Sequence, residues 1–306
     1  MTETRRVRQI VKSRATLEGA GVHLHRAIGF GQPETYDPFL LLDDFRSDEP
    51  DEFLAGFPWH PHRGMETITY VLRGEVEHRD SLGNRGVIAA GDVQWMSAGS
   101  GIIHQEMPKG DRNGSLHGFQ LWANLPAKQK MTAPRYREIK AVEIPAVTDP
   151  GGATIKVVAG TVDGVSGPVK DVVTGPEYLD VSVPPGKSFT HATPRGHTVF
   201  AYVIGGKGVF CHESDPYTYE SVGENYFDMK RERLIGDRHL VSFGDGDKVS
   251  VSAEAEPVRF LLISGRPIGE PIAWQGPIVM NTDEELRVAF EELENDTFIK
   301  HPTAHR

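Results

Sequence analysis

The sequence predicts an all-β chain built from two copies of one sandwich-like or barrel-like domain, with a single helix near its end. Three observations predict this. Short segments in which apolar and polar residues alternate recur along the chain, punctuated by Gly, Pro, Asp and Asn. Gly 33 and Pro 21 are high for 306 residues and supply the turns that many short strands need. The chain also repeats itself.

The strands read in order as "TITYVLRG", "GVIAAGDVQWM", "HGFQLWANLP", "YLDVSVPPG", "TVFAYVIGG" and "VRFLLISG". Their spacing suits a sandwich or barrel. One helix is predicted over about 283–295, in "NTDEELRVAFEELEND". There Thr282 and Glu285 form a capping-box pattern and Leu286, Phe290 and Leu293 share a face.

The repeat has three anchors. "TYVLRGEV" at 69–76 resembles "AYVIGGKG" at 201–208, with Tyr70 on Tyr202 and Gly74 on Gly206. Gly91-Asp92 resembles Gly246-Asp247, and "FQLWANLP" at 119–126 resembles "FLLISGRP" at 260–267. The offsets of 132, 155 and 141 imply that the second copy is fourteen residues shorter between its last two anchors. The boundary is expected near 135–150, in "KAVEIPAVTDPGG". This makes an N-terminal domain of 1–140 and a C-terminal domain of 150–306 that carries the helix.

The formal net charge is -10, which argues against a bulk nucleic-acid partner or an anionic membrane surface. The single cysteine, Cys211, forbids an intramolecular disulfide and points to a reducing compartment. "MTETRRVRQIVKSR" has basic residues without a following apolar core, unlike a secretory signal. No apolar run approaches the roughly 20 residues of a membrane span. The expectation is a soluble, cytoplasmic protein.

Two pairs of residues carry the chemistry. Residues i and i+2 of a strand share a face, so His60 and His62 in "FPWHPHRGMETITYVLRG" point the same way. Glu66 has the same parity if that strand is unbroken. About forty residues on, "SAGSGIIHQEMP" holds His104 and Glu106 at the same spacing. Two such pairs on strands of one small β domain can converge on one metal. Three imidazoles and a carboxylate suit Fe(II), Ni, Mn, Co, Cu or Zn, and leave a coordination position open for catalysis. Glu66 could be a ligand, an acceptor for a histidine N–H, or a buried partner for Arg63 or another base. The second role is favoured, since Glu106 already supplies a carboxylate.

Other candidates read as structural. His23 and His25 have no second pair in their unit and read as strand surface. Asp43 and Asp44 are adjacent on a strand, so they face opposite ways and do not act as a pair. Arg63, Gln94 and His117 read as structural. No P-loop, dinucleotide fingerprint or serine nucleophile elbow is present. In the second copy the first offset puts Ala192 on His60, Pro194 on His62 and Thr198 on Glu66. His191 and His197 lack a partner pair there, so the second domain is expected to be metal-free.

Four blocks, "DPFLLLDDF", "GFPWHPHRGMETITYVLRGEVEHRDSLGN", "GDVQWMSAGSGIIHQEMP" and "GFQLWANLP", resemble the pirin family of the cupin superfamily. The resemblance covers roughly residues 37–126 and is weaker beyond. It implies a bicupin of two antiparallel β-barrel or jelly-roll domains, with one divalent metal, Fe(II) first among the candidates, in the N-terminal domain. It implies His60, His62, His104 and Glu106 as ligands. The glutamate of the general cupin motif falls on Glu66 and is not the principal carboxylate ligand.

The resemblance also implies a function: a quercetin 2,3-dioxygenase-type oxidoreductase that opens a flavonol with O2, with Glu106 or Glu66 taking the hydroxyl proton. The second reading is a non-enzymatic, metal- and redox-dependent regulator that binds protein partners, in the nucleus if the source is eukaryotic. The ligands alone also suit an isomerase or decarboxylase.

Overall fold

The computed structural model describes residues 2–31, 33–212, 215–223 and 232–301. Contacts divide the chain into two units. One takes Met1–Arg14 with Val142–Pro267, the other Ala15–Ala141 with Ile268–Arg306. Both ends therefore lie elsewhere than a linear division at 140–150 places them. The strand Val7–Lys12 pairs antiparallel with His239–Phe243, and Val7 and Ile10 are buried in the core of that unit. The helix Asp283–Glu294 goes with the other unit. Its Leu286 and Ala289 pack with Ile278 and Met280, and Ile103 lies against the same cluster. Alternation shows that a segment is a strand or helix but not which core its apolar face will cover.

The helix starts as its sequence dictates. The Thr282 side chain accepts from the Glu285 backbone N–H, and the Glu285 side chain accepts from that of Thr282. This satisfies two of the donors that a helix N-terminus leaves open. Among the described residues no helix is long and apolar enough to cross a membrane.

The unit with the candidate ligands holds two main sheets. The larger runs Arg135–Ile139, Val93–Ser97, Met65–Arg73, His117–Asn124, Phe39–Asp44, Val22–Ile28, Arg14–Glu18. The smaller runs Phe57–His62, Ile102–Lys109, Glu75–Asp80, Arg85–Ile88. Val22, Leu24 and Val71 of the larger sheet share a buried cluster with Val76 and Ile88 of the smaller. Neither sheet closes on itself, so the expected barrel is realised as a jelly-roll-like sandwich of open sheets.

The other unit repeats the larger sheet's centre. Thr198–Phe210 runs between His239–Phe243 and Val258–Gly265, with Glu177–Val183 beyond. In the first copy Met65–Arg73 likewise runs between Val93–Ser97 and His117–Asn124, with Phe39–Asp44 beyond. Gly74 and Gly206 both take positive φ, 76° and 65°. At Gly206 a Cβ would sit 1.8 Å from the Pro257 carbonyl oxygen, so only glycine fits.

The middle anchor needs correcting. Gly91-Asp92 leads into Val93–Ser97, whereas Gly246-Asp247 follows the matching strand His239–Phe243 instead of preceding it. Gly236-Asp237 occupies the matching place. The strand that carries His104 and Glu106 therefore has a counterpart in the second copy. Lys248–Ser252 pairs with Ser188–Ala192 as Ile102–Lys109 pairs with Phe57–His62. Ala192 faces Lys248 where His60 faces His104, so lysine and serine, Lys248 and Ser250, stand where the first copy has His104 and Glu106.

Candidate metal centre

The site is built on three neighbouring strands of the smaller sheet. Phe57–His62 and Ile102–Lys109 run antiparallel with His60 directly opposite His104. On its other edge Ile102–Lys109 pairs with Glu75–Asp80, which sets Asp80 opposite His104 and His78 opposite Glu106. Each strand thus contributes an i, i+2 pair: His60 and His62, His104 and Glu106, His78 and Asp80.

The three predicted histidines converge. Ligand atoms of His60, His62 and His104 lie within 4.8 Å of one another. Ring centroids are 4.3 Å apart for His60–His104 and 4.9 Å for His60–His62 and His62–His104. Glu106 joins through His104: His78, His104 and Glu106 form a second group within the same limit. His62, His104, Glu106 and His78 are buried, while His60 is half-buried.

Hydrogen bonds orient the rings. His60 Nδ1 donates to the Pro58 carbonyl at 2.8 Å, and His62 Nδ1 to the Pro277 carbonyl at 3.2 Å. A carbonyl only accepts, so each Nδ1 carries a proton, and in the neutral ring that leaves the lone pair on Nε2. His104 Nε2 is buried with no hydrogen-bond partner. Burial, then the charge of His60, holds the His62 imidazole well below its ordinary range. Burial, then His60, His62 and His78, does the same for His104. Imidazoles whose Nδ1 is tied to a carbonyl or whose Nε2 is unpartnered, with a carboxylate beside His104, are the donor set a divalent metal needs, so the residues fit one.

Glu66 does not join them. Its carboxylate accepts from Ser97 Oγ at 2.5 Å and lies 3.8 Å from Arg137 Nη2. Burial raises its pKa, against the pull of Ser97 and Arg137. This is the buried-partner role, with Arg137 in place of Arg63. Residues 62 and 66 do not share a face by parity because the strand is broken between them. Phe57–His62 belongs to the small sheet and Met65–Arg73 to the large one, and Gly64, at φ 77°, turns the chain between them.

The other expectations fall as follows. His23 is exposed and lies 3.6 Å from Glu52, His25 is half-buried, and neither belongs to a metal-type cluster among the described residues. Asp43 and Asp44 do face opposite ways. Asp43 takes two hydrogen bonds from Arg26, while Asp44 takes those of Arg46. Arg63 is buried and ties down the C-terminal segment through the Phe298 carbonyl and Glu292. Gln94 is buried in the sheet, and His117 packs on Phe119 and lies 3.8 Å from Asp44.

The site opens onto a cavity of about 410 Å³. Its wall includes His60, His62 and Glu106, the aromatic rings of Phe30, Phe57 and Trp122, and the polar groups of Arg26, Asp43 and Gln120. Thr69 lies 3.0 Å from Glu106 Oε1 and 2.8 Å from the Gln120 amide. Both contacts are to oxygens, Glu106 Oε1 and Gln120 Oε1, so the single hydroxyl hydrogen of Thr69 serves one of them at a time. Burial pushes the Asp43 carboxyl up to about 6 against the pull of Arg26. Arg26, despite its own burial, is held above its ordinary value by Asp43. The two-point contact keeps the pair ionised at neutral pH.

His78, Asp80, Thr69, Gln120 and the Pro277 carbonyl were not foreseen from the sequence. The spacing "HRD" at 78–80 was a usable signal, being a third i, i+2 pair of polar groups. Nothing local marks Pro277.

Two sandwich units, with His60, His62 and His104 in one group and His78, His104 and Glu106 in an overlapping one among the described residues, define a bicupin with a candidate metal centre. The chain belongs to the pirin family. The Pirin family model matches residues 21–123, and the Pirin C-terminal cupin domain model matches 178–299. A pirin-like protein of Caulobacter vibrioides is 41% identical over 295 residues, covering 96% of this chain and 99% of that one. Pirin-1 of Arabidopsis thaliana is 40% identical over 280 residues, covering 91% and 89%. A crystal structure of a quercetin 2,3-dioxygenase from Acinetobacter baumannii superposes with a TM-score of 0.83 at 30% identity, covering 97% of this chain and 99% of that one.

Proposed function

We propose that this chain is a metal-dependent dioxygenase that opens a flavonol such as quercetin with O2, with Fe(II) as its native metal. The observation that carries the reading is the convergence of His60, His62 and His104, with Glu106 beside His104, at a site where His60, His62 and Glu106 line an aromatic-walled cavity of about 410 Å³. That volume lies within the range of small-molecule sites. The relative named as a quercetin 2,3-dioxygenase supports the substrate class.

The protein's part is to bind, orient and move one proton. Phe30, Phe57 and Trp122 offer faces to a flat polyphenol, and Asp43, Arg26 and Gln120 offer polar partners to its hydroxyls. Glu106 is the carboxylate on the cavity wall next to the histidines, so it takes the proton of the flavonol hydroxyl as the O–H bond breaks. Thr69, bonded to Glu106 and Gln120, holds that carboxylate in place. Glu66, held by Ser97, takes no part. A bound metal would supply Lewis acidity toward the substrate oxygen and the redox centre for O2.

The test is O2 uptake and carbon monoxide release with quercetin under air and under nitrogen, on Fe(II)-loaded protein. Turnover under air that is absent in His62→Ala supports the proposal. Loaded protein that binds no flavonol and consumes no O2 overturns it. Elemental analysis of protein purified without added metal distinguishes iron from Ni, Mn, Co, Cu or Zn.

A further inference from the structure

We infer that His78 and Asp80 are positioning residues that fix the tautomer of His104 through a buried chain of hydrogen bonds running away from the cavity. The inference rests on the metal-centre reading and extends it to residues outside the set of three histidines and Glu106.

The observation is a line of contacts. His104 Nδ1 lies 3.5 Å from His78 Nδ1, and His78 Nε2 lies 3.3 Å from Asp80 Oδ2. The side chains of His78 and Asp80 are fully buried. Asp80 is a committed acceptor. Its Oδ1 takes the backbone N–H groups of Leu82 at 2.9 Å and Asn84 at 3.0 Å, and its Oδ2 takes the Asn84 amide at 2.8 Å. These donors hold the hairpin turn after Asp80 and aim the carboxylate inward.

The direction of each bond follows from that end. Asp80 accepts only, so His78 must present Nε2–H to it, since a bare nitrogen there would face the carboxylate lone pair to lone pair. One proton fits between the facing Nδ1 atoms, and if His78 supplied it His104 would carry its own on the buried Nε2, where nothing receives it. His104 therefore donates its Nδ1–H to His78, and its Nε2 is left with a lone pair. That Nε2 is the buried nitrogen without a partner. The opposite tautomer would bury an N–H at Nε2 with nothing to receive it. The 3.5 Å contact is long, and it is expected to shorten when a cation on Nε2 makes the Nδ1–H a stronger donor.

His60 and His62 reach the same state by donating Nδ1–H to backbone carbonyls, at Pro58 and Pro277. Side-chain substitution cannot remove those acceptors. His104 alone depends on a side chain, so the orientation of one ring is open to mutation.

The test uses the full chain, cobalt as the probe and two readouts. In metal-free, nitrogen-15-labelled protein, long-range nitrogen–proton correlation NMR should show His104 protonated at Nδ1 and bare at Nε2. In cobalt titrations against a chromophoric chelator, His78→Phe should weaken binding by about 10–100-fold and shift the visible cobalt bands, the effect of losing an outer-shell acceptor. His78→Gln, whose amide oxygen can receive the Nδ1–H, should regain most of the affinity and the native bands. Wild-type protein with His104 protonated at Nε2 overturns the inference. So does a folded His78→Phe that binds cobalt unchanged, or a His78→Gln as impaired as His78→Phe, since His78 would then act as a ligand itself. If His78→Phe does not fold, the wild-type tautomer still decides the matter. Wild-type protein that binds no cobalt overturns the metal-centre reading, while the NMR of the metal-free rings tests the chain of hydrogen bonds without it.

Discussion

His60 lies directly across a strand pair from His104, their ring centroids 4.3 Å apart, although 44 positions separate them in the sequence. That register sets the two candidate ligand pairs on neighbouring strands. It also means that each ring is held by its own strand, so removing one side chain should not scatter the others.

His62→Ala and His104→Ala should therefore fold yet lose metal. Each removes one of three converging nitrogens, and the affinity should fall by more than about 100-fold, beyond the range of outer-shell changes. Elemental analysis and cobalt titration check this, with circular dichroism confirming the fold. His23→Ala, on the exposed edge of its strand, should leave metal content unchanged.

The two glutamates should separate cleanly. Glu106→Gln removes the carboxylate beside the histidines and should cut both metal affinity and any quercetin turnover. Glu66→Gln should leave both near wild type, because Glu66 faces Ser97 and Arg137. Equal losses in turnover from the two variants would contradict the placement of Glu66.

Much of this site was legible because its signal is local. Spacing two on a strand is a strong statement about which face a side chain takes, and it held for His60 and His62 and for His104 and Glu106. It failed for Glu66, where Gly64 hands the chain from one sheet to another and parity is lost. The repeat located the strands, yet one Gly-Asp pair was matched to the wrong turn, since such dipeptides mark many turns alike. The placement of Val7–Lys12 and of the helix, and the Pro277 carbonyl behind His62, depend on tertiary pairing with no local trace.

The stability of the metal-free protein should fall as pH falls below about 6.5, the ordinary histidine value. In the native state His62 and His104 are held well below that value by burial. Below about 6.5 the unfolded chain takes up protons that the native chain refuses. Stability that is full above that pH is then lost on acidification, at up to about 1.4 kcal/mol per pH unit for each histidine. Denaturant midpoints in the presence of a chelator measure this. Subtracting the profile of His104→Gln isolates its share from groups such as Asp43, and an unchanged slope in that variant would contradict the assignment.

Arg63 should matter to stability more than to chemistry, although it follows His62 in the chain. It is buried, and its guanidinium donates to the Ser100 carbonyl at 2.7 Å and the Phe298 carbonyl at 2.9 Å. It also pairs with Glu292 at 2.7 Å and lies over the Phe298 ring at 4.1 Å. One side chain thus fastens the strand after His62 to the end of the helix Asp283–Glu294 and to Phe298 beyond it. Arg63→Ala strands two carbonyls, while Glu292, at 22% exposure, regains water. The cost is then about 2–4 kcal/mol, below that of a fully buried pair. It should appear as a lower denaturant midpoint and as faster proteolysis within the C-terminal segment that follows Pro277. Arg63→Lys keeps a charge for Glu292 but cannot span both carbonyls, so it should fall between. The same segment supplies the Pro277 carbonyl to His62, so Arg63→Ala should also weaken cobalt binding, by less than His62→Ala does. Arg63→Ala with wild-type stability and proteolysis would show that the C-terminal segment is held by its apolar contacts alone.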